Sequence, residues 1–335
     1  MPELSVVVPV YNEEQSIPPL CEALDAALAP LGRSYEVVLV DDGSKDGSWR
    51  AMLEEARKRP GFKMVRFRRN FGQTAAMAAG IDESAGAVVV TMDADLQNDP
   101  KDIPAVLAKL EERDENGETR WDVVSGWRKN RKDAFINRKL PSMLANRLIG
   151  AMTGVRLHDY GCSLKAYRRD VISQVRLYGE MHRFVPALCR WVGGRVTEIP
   201  VDHHARRFGT SKYGISRTFR VVLDLMLVKF LLSYSTRPIQ IFGKIGLWFG
   251  FFAAAIFGVV FAEGLFETAG ATGPWFGETI LAKRPFWIVT PLMFLGFAIQ
   301  LVVLGLLAEL QTRTYHESGH KRIYSIKEVV ESPKR

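Results

Sequence analysis

Cysteine is scarce: Cys21, Cys162 and Cys189 are the only three, and none is spaced as a disulfide framework or a sulfur-ligated metal centre requires. They read as reduced thiols in a reducing compartment. Also missing are a G-x-x-x-x-G-K-[ST] loop and a G-x-G-x-x-G turn, which argues against a nucleoside triphosphatase and a dinucleotide enzyme. No secretory leader is expected ahead of the first apolar run. Acidic residues fall short of basic ones, leaving a formal charge of +8. Nucleic acid would be one partner for that charge. The second half, however, holds two apolar runs long enough to cross a bilayer, so an anionic membrane surface is the simpler partner and no nucleic acid is expected.

The stretch from Val88 to Pro100 carries the clearest chemistry. Apolar, β-branched residues run into Asp93 and Asp95, which reads as a buried strand ending in a polar turn, with helix after Pro100. Alternation along an extended segment puts both carboxylates on one face, with Gln97 next on that face and Ala94 small enough to admit another group. Two like charges so close are unfavourable unless a cation lies between them. Oxygen-only ligands suit Mg²⁺ or Mn²⁺, with positions left open for a diphosphate. A solvated acidic turn would show the same two residues.

Earlier in the chain, Leu4–Val10 and Tyr35–Val40 read as strands ended by Tyr11-Asn-Glu-Glu14 and Asp41-Asp-Gly-Ser44. Helix should follow the first turn through about Ala29, and Asp46 or Ser48 can cap the helix after the second. Further strands fit 62–66, 87–92 and 122–126, with helical stretches near 73–84 and 101–113. Such alternation predicts an α/β fold with a mostly parallel, Rossmann-like sheet covered on both faces. Ligands of such sheets bind beyond the carboxyl ends of the strands, where Tyr11, Glu13, Asp41, Asp42, Asp93 and Asp95 would converge. Asp-Asp-Gly-Ser alone is an ordinary capped turn. In this company its carboxylates would accept hydrogen bonds from a base N–H and ribose hydroxyls, and the strand edge beside Glu13 could hold the base.

In this order, Val-Pro-Val-Tyr-Asn-Glu (8–13), Val-Asp-Asp-Gly-Ser (40–44) and Met-Asp-Ala-Asp-Leu-Gln-Asn-Asp-Pro (92–100) resemble the signatures of family 2 glycosyltransferases. The likeness is to the branch that includes dolichyl-phosphate mannose synthases and bacterial undecaprenyl-phosphate sugar transferases, and it covers residues 3–235. It implies the GT-A fold, a nucleotide-diphosphate-sugar donor, inversion at the sugar carbon, and a divalent metal held by Asp93, Asp95 and Gln97. It also implies donor contacts from Pro9, Tyr11, Glu13, Val40, Asp41, Asp42, Asp93 and Ala94.

Beyond Gly126 basic residues gather. Trp127-Arg-Lys-Asn-Arg-Lys132 leads into residues 135–152, where Leu144, Leu148, Ile149 and Met152 share a helical face. That pattern fits a membrane-surface helix and a core helix with a solvated basic side equally well. The resemblance favours the membrane and makes Arg128, Arg138 and Ser142 the cradle of a lipid phosphate, a role suited to the planar guanidinium fork. Asp159 stands at an acidic position of the family, either as a free carboxylate that positions acceptor or sugar, or as a cap on local backbone. His182 is not assigned as a base, because isolated histidines are more often structural. Arg206-Arg-Phe-Gly-Thr-Ser-Lys-Tyr213 resembles the family's mobile basic loop, on which Arg206 and Lys212 would reach the donor diphosphate. The expected catalytic set is therefore Asp93, Asp95, Asp159, Arg128 and Arg206.

Residues 1–214 would form the catalytic domain. Residues 215–235, interrupted by Arg217, Arg220, Asp224 and Lys229, suit an interfacial helix. Within 236–310, the runs 239–261 and 286–307 are each long enough to span a bilayer, and 311–335 makes a tail. Basic residues before the first crossing and after the second place the catalytic domain and tail on the cytoplasmic side of the plasma membrane. Two helices enclose little of a channel, which leaves room for a homo-oligomer formed through them. The expected activity is inverting, metal-dependent transfer of one sugar from UDP-hexose to undecaprenyl phosphate. The alternatives are GDP-mannose used in the manner of a dolichyl-phosphate mannose synthase, and a non-catalytic membrane subunit that binds sugar nucleotides. A processive polysaccharide synthase is disfavoured by the lack of a Gln-x-x-Arg-Trp motif and of further membrane helices.

Overall fold

The computed structural model describes residues 1–129, 146–205 apart from 148 and 152, 322–333, and single helical positions between 226 and 314. The chain divides into two compact units, Met1–Leu232 with Arg322–Arg335, and Ser233–Lys321.

The first unit is built on strands β1 (Leu4–Val10), β2 (Tyr35–Asp41), β3 (Phe62–Phe67), β4 (Val88–Thr91), β5 (Val123–Trp127), β6 (Lys165–Arg168), β7 (Val196–Pro200) and β8 (Ile326–Glu331). They form one sheet in the order β7-β5-β6-β4-β1-β2-β3-β8. Its centre is parallel, β1 lying between β2 and β4 with β3 beyond β2. Strand β6 enters antiparallel between β4 and β5, β7 runs parallel to β5, and β8 closes the other edge antiparallel to β3. Helices α1 (Ile17–Leu28), α2 (Ser48–Lys58), α3 (Gln73–Glu83), α4 (Ile103–Leu110) and α5 (Val185–Trp191) connect or follow the strands.

The consecutive residues Val6, Val7 and Val8 are all fully buried, so both faces of β1 are covered. On α1, Ile17, Leu20, Leu24 and Leu28 recur at helical spacing and are fully buried with Cys21. Each such aliphatic side chain contributes about 1.5–3 kcal/mol by leaving water. The strands expected at 62–66, 87–92 and 122–126 form within a residue or two of those bounds. β6 and β7 carry no such pattern, being short and mixed in polarity.

The C-terminal segment supplies an element the sequence reading treats only as tail. Strand β8 covers the open edge of β3, with Gly61 N donating to Pro333 O at 3.0 Å and Ser332 N to Phe62 O at 2.8 Å. Tyr324 stacks on Phe67 at 5.2 Å between ring centroids, and its hydroxyl donates to Asp82 at 2.7 Å.

Of the expected helix 135–152, the described positions Asn146, Arg147, Ile149, Gly150 and Ala151 are helical. Ile149 is buried against Tyr160, Phe184 and Ala187, a core environment for this end of the segment. The interfacial stretch 215–235 and the run 239–261 lie outside the described residues, apart from the helical positions Met226 and Phe230. Between 286 and 307 every described position is helical, and Val289, Leu292, Met293, Leu304 and Leu307 are exposed. Among the described residues no helix is long and apolar enough to cross a membrane.

Candidate active site

The carboxyl ends of β1, β2, β4 and β5 lie along one edge of the sheet, and each hands over to a polar turn. Pro9 stands opposite Val40 in the parallel ladder, so two of the expected donor residues are neighbours. Past Val10 the chain turns through Asn12, which adopts a left-handed φ of 55°. Asn12 N–H is received by Ser44 Oγ at 3.0 Å, and Asn12 Oδ1 accepts from Lys45 N at 2.9 Å. Glu13 N donates to Ser48 Oγ at 2.8 Å, and its carboxylate accepts from Ser16 Oγ at 2.7 Å. The first two turns are thereby fastened together. Tyr11 is exposed beside them.

Asp41 and Asp42 are both buried and differ in use. Asp41 Oδ1 accepts from Ser44 N at 2.9 Å, while Oδ2 lies 3.4 Å from Arg66 Nε and accepts no hydrogen bond among the described residues. The Asp42 carboxylate accepts from Phe71 N at 2.7 Å, Gly72 N at 2.9 Å and Asn70 Nδ2 at 2.9 Å. Three of its roughly four acceptor positions are thus committed to the 70–72 loop. Burial raises its pKa to about 6, with the Asp41 charge adding to the rise and the Phe71 and Gly72 N–H groups opposing it. Gly43 explains itself by the same loop: its φ is +68°, and a Cβ there would sit 2.5 Å from the Arg69 carbonyl carbon.

Strand β4 ends at Thr91, and residues 93–98 form a turn instead of continuing extended. Leu96 has a φ of 60°, and Gln97 N donates to Asp95 Oδ1 at 3.1 Å. The alternation argument that put Gln97 on the face of Asp93 and Asp95 therefore fails, because an Asx-type turn replaces the strand before Gln97 is reached. Ala94 is buried in the main core, leaving only its backbone for a donor. Asp93 and Asp95 nevertheless stay close enough to interact. Burial and the Asp95 charge push Asp93 up to about 6, against the Ser163 hydrogen bond and the cations Lys165 and Arg128. Gln73 Nε2, at the start of α3, donates to Asp93 Oδ1 at 2.7 Å.

Two neighbouring carboxylates, of which Asp93 is held up in pKa by burial and by the charge of the other, are a fitting seat for a divalent cation. Among the described residues no third His, Cys, Asp or Glu joins them, so remaining coordination would fall to diphosphate and water.

Arg128 follows β5 directly. Its Nε donates to Asp159 Oδ2 at 2.6 Å and its Nη2 to Asp159 Oδ1 at 3.0 Å, in a pair that is almost wholly buried. Gly161 N also donates to Asp159. Asp159 is thus not the free carboxylate that one expectation required: it aligns Arg128 and caps backbone. The Arg128 guanidinium is held above its usual range, since the Asp159 carboxylate outweighs the cost of burial. His182 is buried with Nδ1 at 2.8 Å from Thr74 Oγ1, and burial together with Arg183 lowers its pKa to about 3, so it stays neutral.

The chain that leads to the basic loop runs along the metal-type turn. His204 N donates to Gln97 O at 2.9 Å, and Asp202 N donates to Asp102 at 2.7 Å. Arg206, Lys212, Arg138 and Ser142 themselves lie outside the described residues. Sequence reasoning missed Gln73, Ser163 and Lys165, which act on Asp93, and Asn98, which is bonded to Ser163. Asn98 falls inside the stretch 92–100 that carries the resemblance, yet nothing in the type or spacing of these four residues marked them.

Residues 5–176 match the model of glycosyl transferase family 2. This chain belongs to that family. The glycosyltransferase is 46% identical over 341 residues to the dodecaprenyl-phosphate galacturonate synthase of Rhizobium johnstonii, covering 98% of this chain and 93% of the relative. It is 39% identical over 334 residues to the undecaprenyl-phosphate 4-deoxy-4-formamido-L-arabinose transferase of Klebsiella pneumoniae, covering 99% and 94%. Among solved structures, the glucosyl-3-phosphoglycerate synthase of Mycobacterium tuberculosis in complex with Mn²⁺, UDP and glucosyl-3-phosphoglycerate aligns with a TM-score of 0.52 at 16% identity, over 69% of this chain and 80% of that one. The match establishes a GT-A-like mixed α/β fold for the glycosyltransferase.

Proposed function

We propose that this glycosyltransferase moves a single sugar from a nucleotide diphosphate, UDP-sugar foremost, onto a polyprenyl phosphate at the cytoplasmic face of the plasma membrane. Two relatives that match along nearly their whole length are named for that acceptor class, and this observation carries the reading. The exposed apolar positions between Val289 and Leu307 support attachment to the bilayer in which such an acceptor resides.

On this reading Pro9, Tyr11, Glu13, Val40 and Asp42 hold the nucleoside, with Asp41 adjacent, and Asp42 also shapes the adjoining loop. Asp93 and Asp95 would hold Mg²⁺ or Mn²⁺, with Gln97 beside them. The ion supplies positive charge to the leaving diphosphate. Arg206 and Lys212 would add cationic charge to the same group, and Arg128, Arg138 and Ser142 would receive the acceptor phosphate.

A phosphate monoester has its second pKa near 6, so at neutral pH the acceptor is already largely dianionic and nucleophilic. No base is needed, in keeping with a neutral, enclosed His182. An acceptor oxygen attacks the anomeric carbon as its bond to the diphosphate breaks, inverting the centre, and the protein's task is alignment and charge stabilisation.

The test is transfer itself. Purified full-length chain in vesicles containing undecaprenyl phosphate is given labelled UDP-glucose, UDP-galacturonate or GDP-mannose with Mn²⁺. A labelled, solvent-extractable lipid from a UDP-sugar supports the proposal, product from GDP-mannose alone reassigns the base, and donor binding without transfer contradicts an enzyme.

A further inference from the structure

Behind the turn that carries Asp93 and Asp95 runs the segment Tyr160–Lys165, and one hydroxyl joins the two. Ser163 Oγ accepts the Asp93 N–H at 3.1 Å and donates to Asn98 Oδ1 at 2.8 Å. It ties the first residue of the turn to the last. Ser163 and Asn98 are themselves fixed. The Ser163 carbonyl accepts from Thr91 Oγ1 at 3.0 Å, and the buried Asn98 amide donates to Cys162 Sγ at 3.4 Å. Beneath them the buried Lys165 donates to the carbonyls of Tyr160, at 3.3 Å, and Cys162, which closes the segment on itself.

The turn has reasons to relax without such a tie. Leu96 sits at a φ of 60°, a conformation a branched aliphatic residue keeps only when its surroundings impose it. Asp93 and Asp95 repel each other. A single hydroxyl bonded at both ends of the turn opposes both tendencies.

We propose that Ser163, acting with Asn98, is a positioning residue of the metal site: it fixes the spacing of the Asp93 and Asp95 carboxylates before metal and donor arrive. The inference rests on the reading of those two residues as metal ligands. Residues that hold ligands in place weaken metal binding by about 10- to 100-fold when removed.

Mn²⁺ binding to the purified full-length chain in the presence of UDP, followed by loss of the free-ion paramagnetic resonance signal, reads the ligand set without turnover. Ser163→Ala and Asn98→Ala should each weaken Mn²⁺ binding about tenfold. The double variant should be no weaker than the poorer single one, because both changes cut the same bond. Ser163→Thr, which keeps the hydroxyl, should restore binding to within about twofold of wild type. A purely structural serine would lower the melting temperature and leave Mn²⁺ affinity alone. Wild-type affinity in folded Ser163→Ala, or fully additive losses in the double variant, overturns the inference while the metal reading stands. No Mn²⁺ binding by the wild-type chain overturns both. If Ser163→Ala does not fold, Asn98→Ala and Ser163→Thr carry the comparison: equal affinities overturn the inference, and a loss confined to Asn98→Ala supports it.

Discussion

Arg128 and Asp159 are joined by a two-pronged, nearly buried ion pair, 2.6 Å from Nε to Oδ2 and 3.0 Å from Nη2 to Oδ1. The pair leaves the guanidinium oriented at the end of β5, on the edge where Asp93 lies. Removing one partner strands a buried charge and should cost about 3–5 kcal/mol, so Arg128→Ala and Asp159→Ala are each expected to lower the melting temperature sharply. The double variant should recover part of that loss, the sign of direct coupling. Arg128→Lys keeps charge but loses the fork, and its kcat/KM should fall at least about tenfold at near-normal stability. Unfolding and steady-state kinetics on the four variants check this.

His182 predicts an acid limb in stability. Its folded-state pKa, about 3, lies below the ordinary 6.5, so between those values the unfolded chain binds the extra proton. The neutral ring's contribution is present above pH 6.5 and is lost as pH falls, at up to about 1.4 kcal/mol per unit. His182→Gln should flatten the decline in melting temperature below pH 6.5 and retain turnover at pH 7.5. Abolished turnover in a folded variant would make His182 a participant in the reaction.

Gly43→Ala tests the loop that Asp42 holds. The substitution places a methyl carbon 2.5 Å from the Arg69 backbone at a positive φ, which should cost on the order of 1–3 kcal/mol. Because Asp42 and the 70–72 loop move with it, the donor KM should rise more than kcat falls.

Strand β8 should behave as part of the catalytic unit. Tyr324→Phe deletes the hydroxyl that reaches Asp82 and should cost about 1 kcal/mol. Truncation before Ile326 uncovers β3, and thermal melts with light scattering should show both a lower midpoint and earlier aggregation.

The parallel centre of the sheet was legible because Val6–Val8, Val37–Val40 and Val88–Val90 are apolar runs cut by polar turns, and the turns place the site. The strand Lys165–Arg168 was not, since its four residues owe their place to neighbours on both sides instead of to local pattern. Strand Ile326–Glu331 was hidden by distance, as it pairs with residues more than 250 positions earlier. At the site, residue types announced the carboxylates. The partners that hold them, Arg128 to Asp159 and Ser163 to Asn98, are joined across 31 and 65 positions by tertiary contact, which no spacing rule records.

On the proposed function, Asp93 and Asp95 seat a divalent ion that sugar transfer to a polyprenyl phosphate requires. The most direct measurement compares labelled-lipid formation by wild-type chain and Asp95→Ala, in the same vesicles, with Mn²⁺ and with a chelator. Product is expected only from wild-type chain with metal, together with a folded, inactive Asp95→Ala that no longer depletes free Mn²⁺. Undiminished transfer by Asp95→Ala, or by wild-type chain stripped of metal, would contradict it.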